Sequence, residues 1–276
     1  MKKIKVFKMD DRKCLIVLVG LHPNRLKLSI DKEIVDKLIF IKEKEYISGT
    51  DEKIKVIKEL NEYYQKRLIN TEILEYSFTI QTRPVAELTY TICQQKLLGF
   101  NNISVNISGG LRFMVIWCYI SCLITNTNII HGDFKYKGKK AVGINDNMKL
   151  VGIPLSRPTE KQFEFLELFF TSYNDIIDML EDYKPFEDLM SHVKTYNSIE
   201  DLRIAYGLKI NNKEITRGSI NGYIQKLKSI SALETMVNPE TKIEKIIKIT
   251  YLGIAFVLNY LVNKNFKERR DNQLHL

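Results

Sequence analysis

Asn106-Ile-Ser-Gly-Gly-Leu-Arg112 stands between two apolar stretches of different rhythm. Before it, Ile103, Val105 and Ile107 alternate with polar Ser104 and Asn106, the period of a strand; after it, Phe113 to Ile124 runs apolar over helical length. Strand, glycine turn, helix is the local plan. The adjacent glycines Gly109 and Gly110 permit positive φ and let another molecule approach the backbone, and the free N–H groups of a helix start favour an anion. Arg112 adds a fixed positive charge at the mouth of the turn. The pattern predicts an α/β sheet that holds a phosphate or another anion at the carboxyl end of a strand, where such folds bind their ligands. The spacing is neither a P-loop nor a full dinucleotide fingerprint. A tight turn and nothing more therefore stands at this point as an equal reading.

Working outward, Leu15 to Leu21 is a continuous apolar run suited to a parallel strand buried on both faces, and it ends in Gly20-Leu21-His22-Pro23-Asn24-Arg25. The loop after this strand thus carries a glycine, a histidine and an arginine. Val35 to Ile41 reads as a second strand, and a charged amphipathic helix follows from Gly49-Thr50-Asp51, with Ile54, Ile57 and Leu60 on one face. Glu72 to Ile80 is a third strand; Pro84 opens a helix marked by Val85, Leu88, Ile92 and Leu97, and Gly99 closes it. Beyond the glycine turn and its helix, Asn128 to Phe134 and Lys140 to Ile144 form a hairpin around Lys137-Gly138-Lys139, and Met148 to Ile153 adds a short strand before Pro154. Strands alternating with helices predict a Rossmann-like, mostly parallel sheet that is antiparallel only at its late edge.

The chain's 276 residues, 45% hydrophobic, can bury a core and predict two domains. Lys and Arg number 42 against 33 Asp and Glu, a net charge of +9 that suits a polyanion partner where it is clustered. A genome-wide habit of lysine use gives the same number. The four cysteines, Cys14, Cys93, Cys118 and Cys122, have neither disulfide nor zinc spacing and read as buried free thiols. With no signal peptide recognised, they predict a cytoplasmic protein. The apolar runs are too short or too interrupted for a bilayer, so no membrane role is expected. His131-Gly132-Asp133 reads as a strand-end turn, with no metal site, and Asp175, Asp178, Glu181 and Asp182 as solvated helix surface.

Composition changes at Ser156-Arg157-Pro158-Thr159, which places a boundary near residue 157, dividing the chain into 1–157 and 158–276. A capped helix from Glu160 carries Phe163, Leu166, Phe169 and Phe170; no strand is expected before residue 232. Phe186 to Tyr196 is read as one helix, Ser198-Ile199-Glu200-Asp201 caps a second that Gly207 stops after Tyr206, and Thr216-Arg217-Gly218-Ser219 opens a third. In that third helix Ile220, Tyr223, Ile224 and Leu227 face inward. A hairpin follows, Leu233 to Val237 and Lys242 to Ile249, then a last helix from Tyr251 to Asn263. This order is the winged helix-turn-helix plan, whose polar-faced helix enters the major groove of double-stranded DNA.

Two halves carry one likeness. Asn106-Ile-Ser-Gly-Gly-Leu-Arg-Phe-Met114, with Gly20-Leu21 ending the first strand, resembles the CARF domain of CRISPR-associated proteins, and Ile249-Thr250-Tyr251-Leu252-Gly253 resembles the wing and final helix of MarR-like winged helix domains. In that order the pair resembles archaeal CRISPR-associated CARF and winged-helix transcriptional regulators. The resemblance implies a homodimer that binds cyclic oligoadenylate, most often the tetra-adenylate, on its two-fold axis, with no further cofactor. Ser108, Gly109, Gly110 and Arg112 would hold phosphate and ribose, and Gly20, Leu21 and His22 would line the pocket from the first loop; Arg25, the arginine of that loop, is a further ligand-binding candidate. No Ser or Thr stands beside Gly20, where that loop often supplies a hydroxyl.

Three functions are weighed on these residues. A ligand-responsive DNA-binding regulator of transcription would read base edges with Arg217, Ser219, Asn221 and Gln225, near Thr216 at the helix start, and contact phosphates with Lys226, Lys228, Lys242 and Lys245. A metal-independent ring nuclease would cleave the cyclic ligand by its own 2′-hydroxyl, oriented by Arg112, Lys139 or His22. A HEPN-type ribonuclease rests only on the Arg-x4-His spacing of Arg270 and His275, in a tail expected to be disordered.

Overall fold

The computed structural model describes residues 12–44, 50–80, 82–138, 140–150, 155–210, 214–239, 242 and 245–274. It divides into two compact units, one of residues 1–84 and 94–153, the other of residues 85–93 and 154–276.

The first unit is an α/β layer structure. Its strands are β1 (Lys13–Leu18), β2 (Lys37–Glu43), β3 (Asn70–Tyr76), β4 (Asn102–Asn106), β5 (Asn128–Lys137) and β6 (Lys140–Leu150). They form one sheet in the order β3-β2-β1-β4-β5-β6, parallel throughout except for the antiparallel β5–β6 edge. This is the Rossmann order, in which the chain moves outward from the middle in both directions. The apolar run that predicts a two-sided buried strand is β1: Cys14 to Val19 are 0–1% exposed. Helices α1 (Pro23–Ile30), α2 (Thr50–Gln65), α3 (Arg83–Leu97) and α4 (Arg112–Thr125) connect the strands, residues 85–93 of α3 being counted with the second unit. Leu15, Val17, Leu38 and Phe40 of the sheet pack with Leu26 and Ile30 of α1 and Ile57, Leu60 and Tyr64 of α2.

Four expectations for this unit change. Leu21 lies outside β1, and the residues after His22 form α1, with Pro23 on its first turn. The buried stripe of α2 is Val56, Ile57, Leu60 and Tyr64, and Ile54 faces solvent, because the helix is rotated to bring Tyr64 under Phe40 (ring centroids 6.4 Å apart). The third strand ends at Tyr76. The pieces read as Lys140 to Ile144 and Met148 onward are one long strand, β6, with register shifts at Gly132/Phe134 and Lys135/Tyr136 that absorb the polar interruption. Residues 151–153 and Lys139 lie outside the described residues.

The second unit is mainly helical: α5 (Glu160–Leu166), a 3-10 turn (Glu167–Phe169), α6 (Tyr173–Glu181), α7 (Phe186–Ser191), α8 (Ile199–Lys209), α9 (Arg217–Ser229) and α10 (Tyr251–Leu274). A three-stranded sheet, order β7-β9-β8, is made by β7 (Thr195–Tyr196), β8 (Leu233–Val237) and β9 (Lys245–Ile249). Aromatic rings fill the space between helices: Phe163 stacks on Tyr260 at 4.3 Å, and Phe165 stacks on Tyr223 at 5.1 Å. Thr216 caps α9 by accepting from the Ser219 N–H (3.2 Å), and Ser198 caps α8 through the Asp201 N–H (3.0 Å).

Here too the structure corrects the sequence. The stretch read as one helix from Phe186 to Tyr196 ends at Ser191, and a strand precedes residue 232 after all, since Thr195 and Tyr196 pair with Lys248 and Ile247. Gly207 does not stop α8, which runs to Lys209 with Tyr206 and Leu202 buried. The last helix continues past Asn263 to Leu274, where a disordered tail was expected, and Arg269 reaches Glu181. His275 lies outside the described residues.

All four cysteines are free and buried. Burial pushes the Cys14 thiol up to about 12 and raises Cys118 and Cys122 as well, so none of these three is poised as a thiolate. Among the described residues there is no cluster of three or more metal-ligating side chains and no helix long and apolar enough to cross a membrane.

Candidate functional site

β1 and β4 are parallel neighbours, and the chain leaves them in opposite directions, to β2 on one side and β5 on the other. Their carboxyl ends mark the topological switch point of the sheet, where the two outgoing loops open a crevice. Gly20 follows β1, and Gly109 and Gly110 follow β4, so both glycine loops meet there. They meet tightly. A Cβ on Gly109 would stand 2.2 Å from the Leu18 carbonyl oxygen and 2.9 Å from the Gly20 N, and one on Gly20 would stand 2.9 Å from the Gly110 N. Gly110 has φ +80, a backbone conformation that disfavours other residues.

Side chains of the turn brace it from below. The Ser108 N–H donates to Asn106 Oδ1 (2.9 Å), while Asn106 Nδ2 donates to Ser29 Oγ (2.8 Å) and the Gly132 N–H donates to Ser108 Oγ (2.8 Å). Ser29 in turn donates to Asn147 Oδ1 (2.6 Å), and Asn147 Nδ2 reaches Glu33 (2.7 Å). The β4–α4 turn is thereby tied to α1, β5 and β6 through a polar chain that is buried at Asn106, Ser108 and Ser29 and partly buried at Asn147 and Glu33. Ser108, 7% exposed, belongs to that chain, and its hydroxyl already has partners within the protein. Gly109 is accounted for by packing against the β1 backbone.

What the site presents outward is different. Leu21, His22 and Arg112 are exposed, and Arg25 is half-buried. Arg112 is the first residue of α4, and among the described residues it has no ion-pair partner. The N-cap residues of α1 and α4, His22 and Leu111, supply no side-chain hydrogen bond to the first turn. Two helix starts with open N–H groups therefore bear on one end of the sheet, alongside a guanidinium and an imidazole. This arrangement accepts an anion. Among the described residues no nucleophile stands with a base beside it there.

A pocket of 320 Å³ adjoins the start of α1, lined by His22, Asn24, Arg25, Tyr136, Lys140 and Ala141 among others. Tyr136, Lys140 and Asn24 are site residues that the sequence reading missed. Their signal was present in the basic Lys137-Gly138-Lys139 turn, but the packing of α1 against β5 and β6 is what brings the hairpin to the first loop. A second pocket, 450 Å³, lies in the helical unit against Phe170, Tyr173, Tyr196 and Leu261; there Lys209 is paired with Glu167 at 2.6 Å.

In the second unit Thr216, Arg217, Ser219, Gln225, Lys226, Lys228, Lys242 and Lys245 are exposed and Asn221 is half-buried. The opposite side of α9 is Ile220, Ile224 and Leu227, each 0–2% exposed. Two of the polar residues have structural duties: Thr216 is the cap, and Lys228 Nζ donates to Thr235 Oγ1 (2.8 Å) on β8.

No family model and no curated protein matches this chain. Among solved structures it is similar to protein VC1899 from Vibrio cholerae, at 12% identity and TM-score 0.36 over 94% of this chain and 68% of that one. It is also similar to Can2 from Sulfobacillus thermosulfidooxidans in complex with cyclic tetra-adenylate, at 12% identity and TM-score 0.32 over 95% of this chain and 68% of that one. A third is Csm6 from Enterococcus italicus bound to cyclic hexa-2′-fluoro-hexa-dAMP, at 13% identity and TM-score 0.30 over 80% and 60% of the two chains. At these identities and TM-scores the likeness assigns neither ligand nor residue role here.

Proposed function

We propose that this chain is a homodimeric, cytoplasmic transcription regulator that binds cyclic oligoadenylate with its first unit and double-stranded DNA with its second. The observation that carries the reading is the switch point: two interlocked glycine loops and two uncapped helix starts, with Arg112 and His22 exposed beside them. Such a surface suits a polyanion with several phosphates. The second unit supports the DNA half of the reading. Its sheet order β7-β9-β8, the α8–α9 pair and the β8–β9 hairpin follow the winged helix plan, with α9 as the groove-entering helix.

The dimer is argued from α4. Met114, Cys118, Ser121, Cys122 and Thr125 bury one face, yet Phe113 and Ile116, 40% and 56% exposed, lead a second apolar stripe that continues through Trp117, Ile120 and Leu123. A helix apolar on both sides needs cover on both sides. A second copy would place two switch points about one axis, so that one ring meets two identical sites. Ligand and DNA would then be coupled through the dimer, each altering the affinity of the other equally.

Calorimetric titration of the protein with cyclic tetra-adenylate, followed by chromatography of the recovered ligand, tests this function. Intact bound ligand is expected. Linear product would instead support a ring nuclease using His22 and Arg112, and absence of binding would remove the ligand half of the proposal. Arg112→Ala is expected to weaken binding by roughly ten- to a hundredfold, the range of about 1.5–3 kcal/mol for hydrogen bonds to charged groups. Unfolding should be unchanged, because the side chain is exposed. Equal affinity in the variant would displace Arg112 from the site.

On the other unit, Arg217→Ala combined with Gln225→Ala is expected to lower DNA affinity and flatten sequence preference, each base contact being worth about 1–3 kcal/mol. Ligand binding should be retained. Footprinting should show half-sites about 34 Å apart or a multiple of it. Unaltered DNA affinity in the double variant would move the contact away from α9.

A further inference from the structure

The pocket at the start of α1 has features that an anion site alone does not need. Tyr136, from the end of β5, is 51% exposed while its ring meets Phe134 edge-on at 6.4 Å, so a flat aromatic surface is held in place and left open. The Arg25 guanidinium lies 4.8 Å from the Phe134 ring centroid on the same aromatic cluster, and its Nε is buried without a hydrogen-bond partner. A buried donor with no acceptor is unfavourable unless something supplies one. Lys140 and His22 also line the pocket, and among the described residues no acidic side chain does. Pro23 has no N–H, so the first donors of α1 are those of Asn24 and Arg25, which line the same space. At 320 Å³ the pocket sits at the lower end of the ~300–1,000 Å³ typical of small-molecule sites. That volume suits one nucleotide and is too small for a ring of four.

We infer that this pocket is a single-nucleotide subsite, stacking a purine base on Tyr136 and holding its phosphate with Arg25, Lys140 and the first-turn N–H groups of α1. The inference rests on the reading of the first unit as a cyclic oligoadenylate site and gives it a residue that selects the base. Backbone phosphates at the glycine loops do not distinguish adenine from uracil. A stacked ring adds a modest preference for a purine, which offers the larger π-face. In a two-fold dimer the pocket occurs twice, so two of the four nucleotides of a tetra-adenylate ring would be read by tyrosine.

The probes are 5′-AMP, ribose 5-phosphate, which keeps the phosphate and loses the base, and cyclic tetra-adenylate, each titrated into the full chain and followed by calorimetry. 5′-AMP is expected to bind about tenfold more tightly than ribose 5-phosphate, the low end of the stacking contribution of about 1–3 kcal/mol. Tyr136→Ala should abolish that difference and Tyr136→Phe keep it, while Arg25→Gln should weaken both ligands. Equal binding of 5′-AMP and ribose 5-phosphate, or an unchanged preference in Tyr136→Ala, overturns the subsite. Cyclic tetra-adenylate bound equally by wild type and Tyr136→Ala also overturns it and leaves the proposed function standing. The expected 5′-AMP pattern without any binding of the ring keeps the subsite and removes the proposed function. If neither 5′-AMP nor the ring binds, both fall.

Discussion

Gly109→Ala is expected to destabilise the first unit by about 3 kcal/mol, at the upper end of what overpacking does, because the two closest contacts of the added methyl are backbone atoms that no rotamer change can move, with the Leu26 side chain at 3.0 Å as a third. Its Cβ would lie 2.2 Å from the Leu18 carbonyl oxygen and 2.9 Å from the Gly20 N, so either β1 or the β4–α4 turn must move. Neither moves alone. Leu18 ends a strand paired on both sides, and the turn is held by Asn106 and Ser108 to Ser29 and Gly132. The single tryptophan, Trp117, sits on α4 directly after the turn and makes urea unfolding of this unit readable by fluorescence. Gly222→Ala is the contrast: nothing lies within 4 Å of its Cβ, and in mid-α9 the change should be neutral or stabilising by up to about 1 kcal/mol. An unfolding midpoint for Gly109→Ala equal to wild type would mean that the two loops do not interlock.

That interlock explains why the glycine turn was legible as a place and only partly as a chemistry. Strand, turn and helix around Asn106 to Arg112 follow from period and from two glycines, and they are where β4 and α4 lie. Which residues face a ligand depends on long-range partners. For Ser108, expected to contact phosphate, the sequence does not show that Gly132, 24 residues onward, donates to its hydroxyl. For Gly109, expected to hold phosphate and ribose, the sequence does not show that the Leu18 carbonyl lies against it. Tyr136 and Lys140 become candidates only because α1 packs on the β5–β6 hairpin, and α1 itself was obscured by Gly20, His22, Pro23 and Asn24, which have turn chemistry while Leu26 and Ile30 supply the buried face.

The same division holds elsewhere in the fold. β1 was readable because a strand buried on both faces has no polar residue to hide it. β7 was not, since two residues have no period; Thr195 and Tyr196 are extended because Lys248 and Ile247 pair with them. Gly207 sits in a register where helix packing outweighs its propensity, with Tyr206 against Phe165 at 5.2 Å. Past Asn263 the apolar stripe fades but the backbone stays helical, supported by charged helix formers and the reach of Arg269 to Glu181.

Ile116→Asp is expected to convert the proposed dimer into a monomer, moving the mass measured by light scattering from twice 32.3 kDa to 32.3 kDa. Within one chain the substitution is mild, because Ile116 is 56% exposed and an aspartate in a helix interior is unfavourable by less than about 1 kcal/mol. Across an interface it is severe. Two carboxylates would be buried near the axis without partners, each opposed by several kcal/mol of desolvation, and the apolar stripe through Phe113, Trp117 and Ile120 would be interrupted at its middle. Ligand affinity should fall with the dimer, since a ring on the two-fold needs both switch points. DNA affinity should drop about 10²- to 10⁴-fold, the avidity lost when two linked reading helices become one. Ile34→Asp separates position from chemistry: Ile34 is 84% exposed but lies before β2, away from the α4 stripe, and the same charge there should leave the mass unchanged. A monomeric wild type would leave the outer face of α4 turned to solvent and would remove the two-fold ligand site with it.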